Sequence, residues 1–126
     1  MKPLLVLTIA VLFIACGGES PQQPAATAVA SQPAGDPKQG KALIEQYGCI
    51  ACHVTPGIDG SHGALGPSLA GMASRPSIAG RVSNDRPTMV AYLQNPPAVD
   101  PQTRMPPLGV SEDDARHMTA YLFTLR

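Results

Sequence analysis

Residues 48–53 read "GCIACH". Two thiols stand three positions apart, and a histidine follows the second directly. Such a pair can be a redox couple, one half of a zinc site, or a double point of attachment for a bound group. The chain has three cysteines in 126 residues, and a disulfide framework needs more. A structural zinc site takes four ligands, and no second Cys or His pair follows at finger-like spacing. A thioredoxin-type couple follows a strand in a βαβ unit, and no such pattern is present. Attachment is the reading that the rest of the chain has to accommodate.

The amino terminus accounts for the third cysteine. Lys2 supplies a positive start, and Leu4 to Ala15 is a run of twelve, apolar but for Thr8. That is too short to span a bilayer as a mature helix and suits an export signal. The junction "FIAC" resembles the lipobox of bacterial lipoproteins, with Phe13 where Leu is usual. The resemblance implies cleavage before Cys16 and a diacylglycerol on its thiol. Residues 1–15 are then a signal peptide, and the protein is expected at the periplasmic side of a bacterial membrane. Cleavage leaves eight Lys and Arg against nine Asp and Glu. With no basic tract, nucleic acid is not expected as a partner.

Residues 16–35 continue as "CGGESPQQPAATAVASQPAG", which has little to bury and reads as a disordered tether. Treated as flexible coil, Gly17 to Gly35 spans about 24 Å root mean square and at most ~63 Å. The folded domain is expected over residues 36–126. Asp36 reads as an N-cap, Pro37 as a first helical residue and Gly48 as a stop. Leu43, Ile44 and Tyr47 make an apolar face on that helix. A long Gly- and Pro-rich loop follows. A second short helix fits "RPTMVAYLQN", ended by Pro96 and Pro97, and the stretch after it reads as irregular. The last helix, "SEDDARHMTAYLFTLR", opens with a Ser-X-X-Asp capping pattern. Ala115, Met118, Leu122 and Leu125 line one of its faces. No strand pattern stands out.

Three short helices and so much loop leave a thin core, and small domains in that state need a staple. A heme joined to Cys49 and Cys52 supplies one, and Cys-X-X-Cys-His is the attachment signature for heme c. From Asp36 to Arg126 the sequence resembles class I cytochromes c. The resemblance implies an all-α fold of about three helices with long loops wrapped around one covalent heme c. The two thiols add to the heme vinyl groups, and His53 is the proximal iron ligand. "GPSLAG" matches the loop in which Pro67 accepts a hydrogen bond from that histidine. Arg75 matches an arginine that pairs with a heme propionate. "YLQNP" matches the helix over the heme, where Tyr92 bonds the ligand sulfur. "TRMPP" matches the loop that brings Met105 to the iron, with Thr103 near a propionate. The last helix is expected to cross the first near Gly40, with Tyr121 and Leu122 approaching there. The family often has a Trp on a propionate, and this chain has none.

Met72, Met89 and Met118 compete with Met105 as ligand. Met118 and Met89 read as helical, whereas Met105 lies on a Pro-flanked loop that can deliver sulfur without straining a helix. Met72 follows the Gly-Pro loop and could approach the heme. His62 reads as surface loop, and His117 as a solvated helix residue. Filled His/Met coordination raises the potential and implies one-electron transfer without catalysis. The expected protein is a monomeric, membrane-tethered carrier between a quinol-oxidising complex and a terminal oxidase or reductase. A dedicated heme c subunit of such an oxidase or reductase is the alternative. A heme enzyme or gas sensor is a third reading, for which no distal acid–base pair is evident.

Overall fold

Each helix begins where a short polar side chain can hold the first free backbone N–H groups. The computed structural model of the protein describes residues 34–126. Asp36 accepts from Lys38 N at 2.8 Å and starts α1, Pro37–Gln46. Asp85 accepts from Thr88 N at 2.8 Å and starts α2, Arg86–Gln94. That bond, ahead of the others, holds the Asp85 carboxyl below its ordinary pKa. Ser111 accepts from Asp114 N at 3.1 Å and starts α4, Glu112–Leu122. All three helices sit where the sequence puts them, although α4 stops at Leu122, short of the chain end. Gly48, at φ 71, turns the chain out of α1 as expected.

Two features depart from the sequence reading. Pro96 and Pro97 do end α2, but Pro96–Val99 then forms a one-turn helix, α3. Proline fits the first helical turn, where its missing N–H costs nothing. The second departure is a small antiparallel ribbon. Strand β1, Ser77–Ile78, pairs with β2, Val82–Ser83, with Ile78 opposite Val82. Arg81 N donates to the Ile78 carbonyl at 3.0 Å and closes a turn over Ala79 (φ 51) and Gly80 (φ 74). Two residues per strand are too few to leave an alternating pattern. Four helices and this ribbon make a mostly helical fold. Among the described residues no helix is long and apolar enough to cross a membrane.

The most extensive packing between elements is α1 on α4. Ile44 of α1 and Ala115, Met118 and Leu122 of α4 are buried there. Burying a side chain of the Ile, Met or Leu kind is worth about 1.5–3 kcal/mol. The two helices cross at Gly40, as expected. A Cβ at Gly40 would run into the His117 carbonyl, one turn ahead of Tyr121 and Leu122 along α4. His117 departs from its reading as a solvated residue. Its Nδ1 accepts the Asp36 N–H at 2.8 Å, so the ring fastens the start of α1 to α4. Tyr47 adds a second polar tie, donating its hydroxyl to Asp114 Oδ2 at 2.7 Å. This bond pulls the Asp114 carboxyl below, and pushes the Tyr47 hydroxyl above, its ordinary value.

Gly40→Ala tests the crossing. The substitution gains roughly 1 kcal/mol of helix propensity. Against that, backbone must move apart, and overpacking costs about 1–3 kcal/mol on its own. The variant is expected to melt below the wild type in a thermal scan of the holoprotein.

Candidate functional site

The attachment motif folds as a 3₁₀ turn over Cys49–Ala51. Cys52 N and His53 N both donate to the Cys49 carbonyl, at 3.1 and 2.9 Å. The thiols are not joined to each other. Cys49 is buried, and burial pushes its thiol above the ordinary value. The buried Cys49 and the half-buried Cys52 both line the cleft rather than open solvent.

The loop after the motif folds back on it. Gly66 N donates to the Cys52 carbonyl and Leu69 N to the Val54 carbonyl, both at 2.8 Å. Ser61 Oγ accepts from Thr55 N at 2.6 Å and donates to the His53 carbonyl at 2.9 Å. Tyr121 of α4 donates its hydroxyl to the Pro56 carbonyl at 2.8 Å. The long loop is therefore pinned from within and from the last helix.

His53 is oriented by two residues. Its Nδ1 lies 2.7 Å from the Pro67 carbonyl. A carbonyl only accepts, so Nδ1 carries the hydrogen and Nε2 keeps a free lone pair. Gly66 lies against the ring, and a Cβ there would meet Nδ1 and the other ring atoms. The Pro67 bond was legible in "GPSLAG", whereas the role of Gly66 was not. Its signal was a glycine directly before the proline of a ligand loop.

All eight cofactor-site residues expected from the sequence line one cleft of about 1090 Å³. They are Cys49, Cys52, His53, Pro67, Arg75, Tyr92, Thr103 and Met105. The volume is at the top of the usual range for small-molecule sites. Its walls are largely apolar, with Ile44, Leu69, Met72, Ile78, Met89 and Leu93 among them. Cys16 lies outside the described residues. His62 is exposed, as expected. Met118 is fully buried in the α1–α4 core, while Met72, Met89 and Met105 all reach the cleft.

The polar groups of the cleft are held from behind. Arg75 Nη2 donates to the Ser68 and Ala70 carbonyls at 2.6 and 2.7 Å. The guanidinium's other N–H groups stay available for an anion. The Tyr92 and Thr103 hydroxyls bond each other at 2.7 Å, and Thr103 Oγ1 also accepts Met105 N at 3.2 Å. Asn84, which the sequence reading passed over, donates to the Met72 and Arg75 carbonyls, both at 2.8 Å. Nothing in its local pattern marks it.

The residues fit a heme. Two thiols, an imidazole with a free Nε2, a thioether and an arginine converge on one apolar cleft. Among the described residues no group of three or more His, Cys, Asp or Glu could hold a metal ion by itself.

Comparison with known proteins decides the family. The cytochrome c family profile matches residues 37–126. The chain belongs to the cytochrome c family. Cytochrome c2 iso-2 of Magnetospirillum molischianum is 32% identical over 91 residues, covering 62% of this chain and 91% of that protein. Cytochrome c 2.1 of Caenorhabditis briggsae is 34% identical over 100 residues, covering 70% of this chain and 86% of the relative. Cytochrome c oxidase subunit 2 of Alkalihalophilus pseudofirmus is 30% identical over 89 residues. That match covers 70% of this chain but only 25% of the oxidase subunit. As a class I cytochrome c, the protein binds heme c covalently and serves electron transfer.

The Gly66 contact gives a prediction. In Gly66→Ala the new methyl group must displace the His53 ring or the loop behind it. The yield of heme-loaded protein and the visible spectrum of the reduced form are expected to change together. A variant with wild-type yield and spectrum would show that the imidazole needs no glycine beneath it.

Proposed function

We propose that the protein is a membrane-tethered one-electron carrier, with His53 and Met105 as the axial ligands of a heme joined to Cys49 and Cys52. The observation that carries this reading is the meeting of all eight expected residues in one apolar cleft. A heme held by these residues would supply the one-electron chemistry. The chain's own residues orient and shield it.

His53 offers Nε2 because Pro67 occupies Nδ1. Three methionines reach the cleft, and their backbones separate them. Met89 is buried within α2, and Met72 is buried in the 3₁₀ turn Met72–Ser74. Met105 is half-buried on a loop and packs against the core, so its sulfur can reach a ligand without distorting regular structure. Arg75 is assigned to a propionate. It stands in the cleft with two carbonyls behind it. Tyr92 and Thr103 are assigned to the Met105 side of the heme.

Met105→Ala tests the ligand. The oxidised wild type is expected to show the weak red absorption band of a methionine–ferric iron bond. The variant should lose it, fall in reduction potential and bind carbon monoxide when reduced. A spectrum unchanged from wild type would move the assignment to Met72 or Met89.

The proposed carrier sits on the periplasmic side of a bacterial membrane, held by a lipid on Cys16. The "FIAC" junction and the Pro- and Ala-rich stretch behind it support this. Its partners would be a quinol-oxidising complex and a terminal oxidase or reductase. Around the cleft, Leu65 is 84% exposed and Leu108 40% exposed, which supports an apolar docking rim. Cys16→Ser should lose the lipid mass and leave the membrane fraction with its heme spectrum unchanged. Recovery of the wild type as a soluble, unlipidated protein would overturn the anchor.

A second reading is favoured by the oxidase subunit 2 relative. The domain would then serve one oxidase as a fixed heme c subunit. Stable co-purification with an oxidase in mild detergent would favour that arrangement over a free carrier.

A further inference from the structure

Beside the cleft lies an ion pair that neither attachment nor ligation uses, with Arg81 on the cleft lining and its partner Asp100 buried. Asp100 is only 3% exposed, whereas the Arg81 side chain is 42% exposed. Asp100 Oδ2 accepts from both Arg81 Nε at 2.8 Å and Arg81 Nη2 at 2.7 Å. This bond to Arg81, more than its other contacts, holds the Asp100 carboxyl below its ordinary pKa. A carboxylate so enclosed is tolerable only when paired.

The two residues belong to separate segments, Arg81 on the cleft lining and Asp100 just ahead of the cleft residues Gln102 to Met105. Arg81 sits at the turn of the β1–β2 ribbon, which Asn84 fastens to the Met72 and Arg75 carbonyls. That is the side built onto the His53 loop. Asp100 closes α3 and opens the loop that carries Met105. Its N–H donates to the Pro96 carbonyl at 2.9 Å. Its Oδ1 accepts from Gln102 N at 3.1 Å, and its carbonyl accepts from Thr103 N at 3.0 Å. Thr103 Oγ1 in turn accepts Met105 N and bonds Tyr92 of α2. A continuous run of bonds therefore leads from the ribbon, through one carboxylate, to the backbone of Met105.

We infer that Arg81 and Asp100 form a clamp that positions the Met105 loop and sets how readily its sulfur yields the iron to an outside ligand. The inference rests on the proposed reading of Met105 as ligand. The clamp joins the loop to the half of the cleft that holds His53. Once it is broken, the loop keeps Thr103 and Tyr92 but loses its tie to the ribbon. Asp100 and Arg81 are positioning residues, since they act through the loop.

The probe is imidazole binding to the ferric holoprotein, which requires the sulfur to leave. Asp100→Asn keeps an oxygen for Gln102 N and removes the charge. Arg81→Gln shortens the fork and removes the other charge. Each is expected to bind imidazole about tenfold more tightly than wild type, the size of effect typical of residues coupled in one network. Arg81→Lys keeps the charge without the two-pronged contact, so it should fall between. It also carries the test should Asp100→Asn not accumulate as holoprotein. The double variant Arg81→Gln/Asp100→Asn strands no buried charge. It should still bind imidazole more tightly than wild type, and a return to the wild-type value would overturn the clamp. In a Met105→Ala background, Asp100→Asn should change imidazole affinity little, because no sulfur has to leave. A merely structural pair would lower the thermal midpoint of all these proteins and leave imidazole affinity unmoved, and that result would also overturn the inference. The two claims fail separately. Retention of the red band in Met105→Ala would defeat the ligand assignment, and with it the clamp. Loss of the band there, with wild-type imidazole affinity in Asp100→Asn, would defeat the clamp alone.

Discussion

The apolar wall of the cleft limits what this domain can be without its prosthetic group. Ile44, Leu69, Met72, Ile78, Met89, Leu93 and Leu122 belong to the buried core, and all of them also face the cleft. Side chains that border an empty volume lose the dispersion contacts that close packing gives. The helices cannot compensate. The longest among the described residues, α4, runs eleven residues, and helices of that length are marginal in water without a packed face. On the proposed reading, two thioether bonds to Cys49 and Cys52 would fix a large apolar body against these residues. Folding and heme attachment are therefore coupled, because the same side chains form the core and the binding wall.

What was legible in the sequence follows from the range of each interaction. Asp36, Asp85 and Ser111 cap helices within three residues of themselves, so a local reading finds the starts of α1, α2 and α4. The Cys-X-X-Cys-His motif is local as well. The Pro67, Arg75, Tyr92, Thr103 and Met105 positions became readable only through their order along a family pattern, and the cleft then gathered them. Interactions between distant positions were not readable. Tyr47 with Asp114, Tyr121 with Pro56, Arg81 with Asp100 and His117 with the Asp36 N–H are polar pairs joined by the fold alone. No spacing announces them. The β1–β2 ribbon escaped for a different reason. It is held by one tight turn and two residue pairs, and a two-residue strand has no period.

Several charged residues make such internal ties. Arg75 holds two carbonyls, Arg81 holds Asp100, and Arg86 lies over the Phe123 ring at 5.0 Å from its centre. Arg116 pairs with Glu112 and Asp113 along α4. The ion-paired Arg81 and Arg116 contribute little far field, the chain's Lys and Arg balance its Asp and Glu in number, and salt screens what remains. An electron carrier of this composition gains little from electrostatic steering. The exposed Leu65 and Leu108 at the cleft are better suited to brief apolar contact than to directed approach.

Weak docking changes what the amino-terminal segment is for, on the proposed reading. A carrier that meets its partners through a small apolar rim dissociates quickly, which favours turnover, but from free solution it would also find them slowly. Holding both partners to one membrane raises the local concentration without adding a contact. The Pro- and Ala-rich stretch is then the counterpart of a nearly neutral surface. The anchor supplies encounter, the rim supplies release, and the pinned loops around His53 and Met105 keep the site's shape constant while the electron passes.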